Sequence, residues 1–270
     1  MKVFRRNLIG VTHPPLAEEI KTNPIHVQIR DVHKSYGDHH VLRGVSLDIY
    51  RGKTNLVIGP SGSGKSVLMR QLIRLEKPDS GEIWVNGVDF ARLEGLDLAA
   101  RRRTFGMVFQ MSALFDSMTV FDNVAFPLRE HTNFPRKEIR TRVMERLQGL
   151  GIAEASHKMP AELSGGMQKR VAVARAMILE SEILIYDEPT TGLDPITTEM
   201  VDDLITEAED MFGVTSVVIS HDMASVVRIA DYLNFLHDGQ IAASGTPQQL
   251  LQTDHPATAE FIRASRITLE

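Results

Sequence analysis

The sequence contains no cysteine among its 270 residues, and aromatic residues make up only 6 % of it. Without thiols the protein can form no disulfide, and thiol catalysis and cysteine-ligated zinc or iron–sulfur sites are excluded. No apolar run approaches the ~20 residues that cross a bilayer. The start of the chain, MKVFRRNLIGVTHPP, lacks the apolar centre and cleavage site of a signal peptide. We therefore expect a cytoplasmic protein.

Basic residues are fewer than acidic residues. The chain carries 30 Lys and Arg against 35 Asp and Glu, which gives a net charge of -5. Proteins that bind nucleic acid broadly leave a basic footprint, so we expect no nucleic-acid partner. With 43 % hydrophobic and 24 % charged residues, the composition is that of an ordinary globular protein with one core and lobes, or with two small domains.

Residues 59–66 read GPSGSGKS and fit the phosphate-binding pattern G-x-x-x-x-G-K-[ST]. An apolar strand is predicted before them, at residues 55–58, and a helix after them, at residues 67–75. Gly62 and Gly64 allow the backbone N–H groups to form a concave nest, to which the helix adds its positive dipole end. A plain glycine-rich turn is the alternative, and the strand–loop–helix context disfavours it.

In such a loop Lys65 would reach the β and γ phosphates, and the Ser66 hydroxyl would ligate a magnesium ion bridging the same oxygens. The predicted nucleotide-binding residues of this segment are Gly59, Pro60, Ser61, Gly62, Ser63, Gly64, Lys65, Ser66 and Val67.

Two further predicted strands end in residues that suit phosphate chemistry. The apolar run ILIY ends at Asp187-Glu188, which places two carboxylates at the edge where α/β sheets bind ligands. Asp187 would hold the magnesium ion and Glu188 would polarise the attacking water. The alternative is a solvated acidic turn, which the presence of a phosphate loop disfavours. His221 closes the strand predicted at residues 214–220; a lone histidine is usually structural, but at this edge it can bind the γ-phosphate.

Three isolated signals leave alternatives open. Gln110 follows a buried strand at residues 105–109 and points either to solvent or to a ligand. Ser164 in LSGGM is placed as a helix N-cap, and Gly165 and Gly166 leave bare N–H groups there, so the segment is a second anion-binding helix start or only a capped helix. Tyr36 lies in a polar turn, where it could stack on a base or be a simple edge aromatic.

The remaining pattern predicts the organisation of the chain. Residues 1–24 read as a mobile extension, and the alternating segments 26–32, 41–50 and 82–90 as a small antiparallel sheet. Residues 111–163 have few strand signals and form a helical insert. Pro195 opens a helix, whose inward residues are predicted to be Ile196, Met200, Leu204, Ile205 and Ala208. Another helix is expected after about residue 252.

The ordered set of GPSGSGKS, Gln110, LSGGM, ILIYDEP, GLD and His221 resembles the ABC-type ATPase family across roughly residues 25–250. The resemblance implies an α/β fold: a P-loop, RecA-like core with a small antiparallel β-sheet and an inserted α-helical subdomain at about residues 111–167. A helical tail follows at residues 251–270.

The resemblance also implies roles and cofactors. It implies ATP and Mg²⁺, with Tyr36 stacking on adenine, Gln110 touching magnesium, Glu188 as catalytic carboxylate and His221 as the switch histidine. The signature residues are Ser164, Gly165 and Gly166, which in this family cap the γ-phosphate bound by a second copy, so two copies would sandwich two ATP molecules head to tail. The family signature usually ends in Gln where this chain has Met167, and we expect hydrolysis to survive that change.

Residues 112–132, SALFDSMTVFDNVAFPLREHT, are similar to a segment of the ATPase subunits of MCE-type lipid transporters, above all the Mla phospholipid system of Gram-negative envelopes. This implies a peripheral subunit on the cytoplasmic face of the inner membrane that drives phospholipid movement between the two membranes. The implied partners are a multi-pass permease, an MCE-domain protein and a small STAS-domain protein.

Other functions remain as alternatives. The runner-up is the ATPase of an importer for a polar small molecule such as an amino acid. A soluble ABC protein acting on ribosomes or DNA would need a second cassette, a long coiled coil or a basic face, and the sequence shows none of these features. A non-hydrolysing scaffold would be expected to lack Glu188 or His221, and both are present.

Overall fold

The computed structural model describes residues 24–264 of the chain. The predicted mobile extension at residues 1–24 lies outside the described residues except for its last position, so its mobility stays a prediction. The strands are β1 (Ile25–Tyr36), β2 (His39–Tyr50), β3 (Thr54–Ile58), β4 (Ser80–Val85), β5 (Val88–Asp89), β6 (Phe105–Val108), β7 (Ile183–Asp187), β8 (Thr215–Ser220), β9 (Tyr232–His237) and β10 (Gln240–Gly245). The α-helices are α1 (Lys65–Leu72), α2 (Gly95–Arg101), α3 (Val120–His131), α4 (Arg136–Gly149), α5 (Gly165–Met177), α6 (Pro195–Phe212), α7 (Met223–Ile229), α8 (Pro247–Leu251) and α9 (Pro256–Ala264).

The strands form two sheets. An antiparallel sheet has the order β2-β1-β4-β5, and a second sheet has the order β10-β9-β3-β8-β7-β6, in which only β10 runs antiparallel. β3 and β8 are buried along their whole length, as expected of parallel strands covered on both faces. β1 and β2 form the first hairpin. The fold is therefore the predicted α/β cassette with a small antiparallel sheet beside a mostly parallel core.

The register of the parallel strands brings their ends to one edge. Ile58 pairs with Ser220, and Val108 pairs with Tyr186. The residues that directly follow these strands, including Gly59 and His221, therefore lie along the same edge of the sheet. This alignment is what brings together segments that are far apart in the sequence.

The segment predicted as a helical insert contains the helices α3 and α4. Thr119 caps α3 by accepting a hydrogen bond from the Asp122 N–H group, and α4 buries Ile139, Val143 and Leu147. These residues belong to the same apolar core as α5 and the parallel strands. The insert is thus packed onto the body of the protein and not held by a flexible tether.

The predicted inward face of α6 is wrong at its first two turns. Ile196 is 74 % exposed and Met200 is 48 % exposed, whereas Leu204, Ile205 and Ala208 are buried as predicted. The buried face at this end is instead formed by Thr198, Val201 and Asp202. The apolar periodicity predicted the wrong buried face because two polar residues, Thr198 and Asp202, are buried against the neighbouring elements.

At the C-terminal end of the described chain, α9 packs against the parallel sheet. The rings of Phe261 and Phe235 lie 5.0 Å apart, and Ile262 is buried in the main core. Within residues 24–264 no helix has the length and apolar character needed to cross a bilayer.

Candidate functional site

The phosphate-binding loop connects β3 to α1, as predicted. Gly64 is the N-cap of α1 with a φ of 106°, and Gly59 has a φ of 155°. A Cβ atom on Gly59 would lie 2.1 Å from the carbonyl oxygen of Leu236, a distance that no side chain can tolerate. Only glycine therefore allows the loop to approach β9 this closely and to turn into the helix.

Lys65 is the first residue of α1 and is only 8 % exposed. Its Nζ donates hydrogen bonds to the carbonyl oxygens of Gly59, at 2.8 Å, and Pro60, at 3.0 Å. Burial lowers the pKa of Lys65, while the nearby carboxylates of Glu188 and Asp187 act in the opposite direction. The loop thus holds a partly desolvated cation beside two acidic groups.

Asp187 ends β7 and has an unsatisfied oxygen. Its Oδ1 is buried and accepts no hydrogen bond from any described residue. Burial raises the pKa of Asp187, and the charge on Glu188 raises it further. A cation at this oxygen would remove both penalties, so the residue fits a magnesium site.

The described residues contain no group of three or more His, Asp or Glu side chains that could hold a metal ion unaided. Mg²⁺ is usually bound by one or two carboxylates together with substrate phosphates. The exposed Ser66 at the start of α1 and the Asp187 carboxylate match that kind of shared site.

Glu188 is held in an unusual conformation. Its φ of 48° lies in the left-handed region, which is costly for a residue other than glycine. Its Oε2 accepts hydrogen bonds from the Thr191 hydroxyl and from Nδ1 of His221, both at 2.8 Å. No described residue donates a hydrogen bond to Oε1. The carboxylate is therefore oriented by two neighbours with one oxygen left for a ligand or water.

The structure places the other predicted residues as follows. Gln110 lies just past the end of β6 and is exposed. Its backbone carbonyl oxygen accepts a hydrogen bond from Lys169 Nζ. Tyr36 ends β1, is 45 % exposed and donates its hydroxyl proton to Glu76. The ring of Tyr36 is thus accessible to a base.

Ser164 is the N-cap of α5, as predicted, and its Oγ accepts a hydrogen bond from the N–H group of Met167 at 3.3 Å. The helix start is open: Ser164 is exposed, and a Cβ atom on Gly165 would meet no atom within 4 Å. No hydrogen bond within the described residues joins Ser164 to the phosphate loop. The structure therefore does not bring this segment onto the loop of its own chain.

Sequence reasoning missed two residues that shape the site, Thr191 and Asp222. Thr191 orients Glu188, and Asp222 caps α7 by accepting a hydrogen bond from the Ala224 N–H group. The position of Asp222 immediately before a short helix is a recognisable capping signal. The contact of Thr191 had no sequence signal, because it depends on the turn that follows Glu188.

Comparison with known proteins identifies the family of the chain. The family model described as "ABC transporter" matches residues 42–191. The chain is 42 % identical over 236 residues to the intermembrane phospholipid transport system ATP-binding protein MlaF of Escherichia coli K12, covering 87 % of this chain and 88 % of that protein.

Two further relatives broaden the comparison. The chain is 37 % identical over 241 residues to a probable ribonucleotide transport ATP-binding protein, mkl, of Mycobacterium leprae, covering 89 % of this chain and 70 % of that protein. The solved dimer of the ATP-binding cassette MJ0796, in a post-hydrolysis state with ADP and Pi, matches with a TM-score of 0.71 at 32 % identity, covering 82 % of this chain and 98 % of that one.

Proposed function

Because this chain belongs to the ABC transporter family, we propose that its ATPase activity drives a membrane complex that transports phospholipid, and that two copies act as a pair. The observation that supports the chemistry best is the Glu188–His221 pair, which adjoins the unsatisfied Asp187 oxygen at the edge that carries the phosphate loop. No other group of described residues combines a carboxylate held by a histidine with a phosphate-binding nest.

Hydrolysis requires a water molecule to attack the γ-phosphorus in line with the bond to the leaving ADP. The N–H groups of the loop and Lys65 bind the phosphates and stabilise the negative charge on them. Glu188 orients the water through its free Oε1 and takes up the proton, and His221 holds the carboxylate and can contact the γ-phosphate. A magnesium ion held by Ser66, Asp187 and Gln110 would neutralise phosphate charge.

The pairing of two copies follows from the open signature segment. Ser164 and Gly165 are exposed, a Cβ atom on Gly165 would meet no atom within 4 Å, and no hydrogen bond within the described residues joins Ser164 to the phosphate loop. The cassette MJ0796 is a dimer. In a head-to-tail pair these N–H and hydroxyl groups would bind the phosphates held by the other copy, while Tyr36 stacks on the adenine of its own.

The transmission of motion to the membrane partner can start at Gln110. Exposed apolar residues flank it, with Met111 84 % exposed and Phe109 and Phe115 each 41 % exposed. Asn123 of α3 is fully buried and ties this segment to the helical insert: its side chain bonds both the N–H and the carbonyl oxygen of Phe115. A permease that contacts this apolar surface would therefore respond to movement of Gln110 at the nucleotide.

The phospholipid assignment rests on the likeness to MlaF and on the segment at residues 112–132. The same likeness supports an MCE-domain protein and a small STAS-domain protein as further partners and a peripheral position on the cytoplasmic face of the inner membrane. The name of the mycobacterial relative refers to ribonucleotide transport, which keeps import of a polar small molecule as the second candidate.

The two candidates differ in what stimulates the ATPase. We expect the complex that co-purifies with a tagged copy to contain a multi-pass permease and an MCE-domain protein, and its ATP hydrolysis in nanodiscs to change with phospholipid composition. The competing measurement adds ribonucleotides or amino acids with a soluble binding protein. Stimulation by these solutes, with no response to lipid, would contradict the phospholipid proposal.

A further inference from the structure

Asp202 of α6 is a charged residue in an unfavourable place. Its side chain is 0 % exposed, and its one ionic partner among the described residues is Arg228, whose Nη1 lies 3.3 Å from Oδ2. The Arg228 side chain is 42 % exposed. The other carboxylate oxygen, Oδ1, is buried and accepts no hydrogen bond from the described residues. This carboxylate is thus desolvated and only partly compensated.

Arg228 belongs to α7, the short helix that begins two residues after His221. Asp222 caps this helix, and its Oδ2 also accepts hydrogen bonds from the Ser225 hydroxyl, at 3.2 Å, and the Thr190 hydroxyl, at 3.4 Å. Thr190 lies two residues beyond Glu188. The helix α7 therefore has the catalytic pair at its start and the Asp202 contact near its end.

A buried ion pair of this kind is a poor source of stability, because replacing it by uncharged groups is often neutral or stabilising. Neutral residues such as Asn or Leu would fit a buried helix position at lower cost. The contact nevertheless joins the two helices that flank the site: α6 starts at the GLD segment, capped by Asp194, and α7 starts beside His221. Its geometry suits a role in orientation and not in stability.

We propose that Asp202 is a positioning residue for ATP hydrolysis: by binding Arg228 it fixes α7 against α6 and so holds His221 against Glu188. The inference depends on the proposed roles of Glu188 and His221. It concerns kcat and not ATP affinity, because none of the contacts of Asp202 involves the phosphate loop.

The proposal also predicts a pH dependence. Burial raises the pKa of Asp202 to about 6; the carboxylates of Asp222 and Asp203 add to the rise, and Ser225 and Arg228 oppose it. Protonation removes the charge that attracts Arg228, so α7 is held less firmly. We expect kcat to fall as the pH decreases through about 6, with the KM for ATP unchanged.

The test uses the full-length chain with the membrane partners that co-purify with it. Asp202→Asn keeps the shape of the side chain but is permanently neutral. We expect its kcat at pH 8 to be about 10-fold lower, its KM for ATP to match that of the unaltered protein, and its pH profile to lack the inflection near 6. Asp203→Asn makes the same change on the exposed side of α6. It should leave kcat at pH 8 unchanged and keep the acid inflection, moved to somewhat lower pH because the Asp203 charge that helps to raise the pKa of Asp202 is gone.

A second pair of variants tests the route through α7. Arg228→Lys keeps the cation and should retain more kcat than Arg228→Met. In a His221→Ala background, Asp202→Asn should cause no further loss, because the residue that it positions is gone.

Results that contradict these expectations distinguish the positioning role of Asp202 from the proposed role of His221. An Asp202→Asn protein with normal kcat and a normal acid limb overturns the inference, as does a full additional loss in the His221→Ala background. If His221→Ala itself hydrolyses ATP at the normal rate, the proposed role of His221 fails and the inference fails with it. A slow His221→Ala protein beside a normal Asp202→Asn protein overturns the inference alone.

Discussion

The stability of Asp202→Asn should be compared with that of the unaltered protein at the same pH. We expect this difference in stability to favour the variant more at neutral pH than at acidic pH. The folded-state pKa of Asp202 is about 6 against an ordinary value of 3.8. Between these values the folded protein keeps a proton that the unfolded chain has lost. The stability that this proton contributes is complete below about pH 3.8 and is lost as the pH rises through about 6.

The size of the effect follows from the same two values. A difference of about 2 pKa units corresponds to about 3 kcal/mol over the whole range. Roughly 1.4 kcal/mol of this lies between pH 5 and pH 8, where folding can be measured conveniently. For a chain of 270 residues, with an unfolding entropy of about 2.1 cal/mol/K per residue, that is a change in Tm of roughly 2.5 °C.

The assay is thermal unfolding of the unaltered protein, Asp202→Asn and Asp203→Asn at pH 5 and pH 8. The Tm of Asp202→Asn relative to the unaltered protein should increase by roughly 2.5 °C from pH 5 to pH 8. The exposed Asp203→Asn control should show a much smaller change, because it removes only one of the lesser causes of the raised pKa of Asp202. An offset that is equal at both pH values, or that changes in the opposite direction, would show that Asp202 does not titrate as its burial implies. Combined with a lower kcat, the expected result would identify a carboxylate that reduces stability and supports function.

Three further predictions concern the nucleotide site. Glu188→Gln preserves the shape of the side chain but cannot accept a proton, so ATP hydrolysis measured by phosphate release should fall on the order of 100-fold or more while ATP binding persists; equal turnover contradicts the assigned role. Lys65→Ala removes the cation from the loop and should weaken ATP binding in calorimetry by at least about 10-fold, and an unchanged Kd would exclude the proposed phosphate contact. Gly59→Ala places a Cβ atom 2.1 Å from the Leu236 carbonyl oxygen and should lower the Tm much more than Gly62→Ala, whose Cβ would meet nothing within 4 Å and whose strain is about 1–2 kcal/mol; similar losses in the two variants would contradict this packing argument.

The phosphate loop could be predicted from the sequence because its motif and the strand and helix on either side of it are contiguous in the chain. Only the close approach of Gly59 to the Leu236 carbonyl oxygen is a tertiary contact. Gly59, Gly62 and Gly64 set the backbone, and the apolar strand before them and the helix after them give the loop its direction. The same holds for the N-cap at Ser164. In each case the hydrogen-bond partners lie within a few residues of one another.

Predicting which distant segments come together required more than the local sequence pattern. Lys65, Asp187, Glu188 and His221 lie far apart in the chain and meet because β3, β8 and β7 pair in a particular order and register. Alternating or buried apolar runs predict strands, but they contain no information about which strand lies beside which. The ordered motifs supplied that step through the family resemblance.

The sequence by itself determined the phosphate loop, the helix caps and the set of residues available for phosphate chemistry, because these depend on residue type and short spacing. The fold class and ATP as the nucleotide followed from the resemblance of the ordered motifs to a known family. Only the tertiary structure decided which face of α6 is buried, that Glu188 adopts a positive φ beside Thr191 and His221, and that Asp202 is enclosed with a raised pKa. Burial and electrostatic environment are properties of the surroundings: the exposure of Ile196 and the enclosure of Asp202 were set by neighbouring elements and not by the periodicity of the helix.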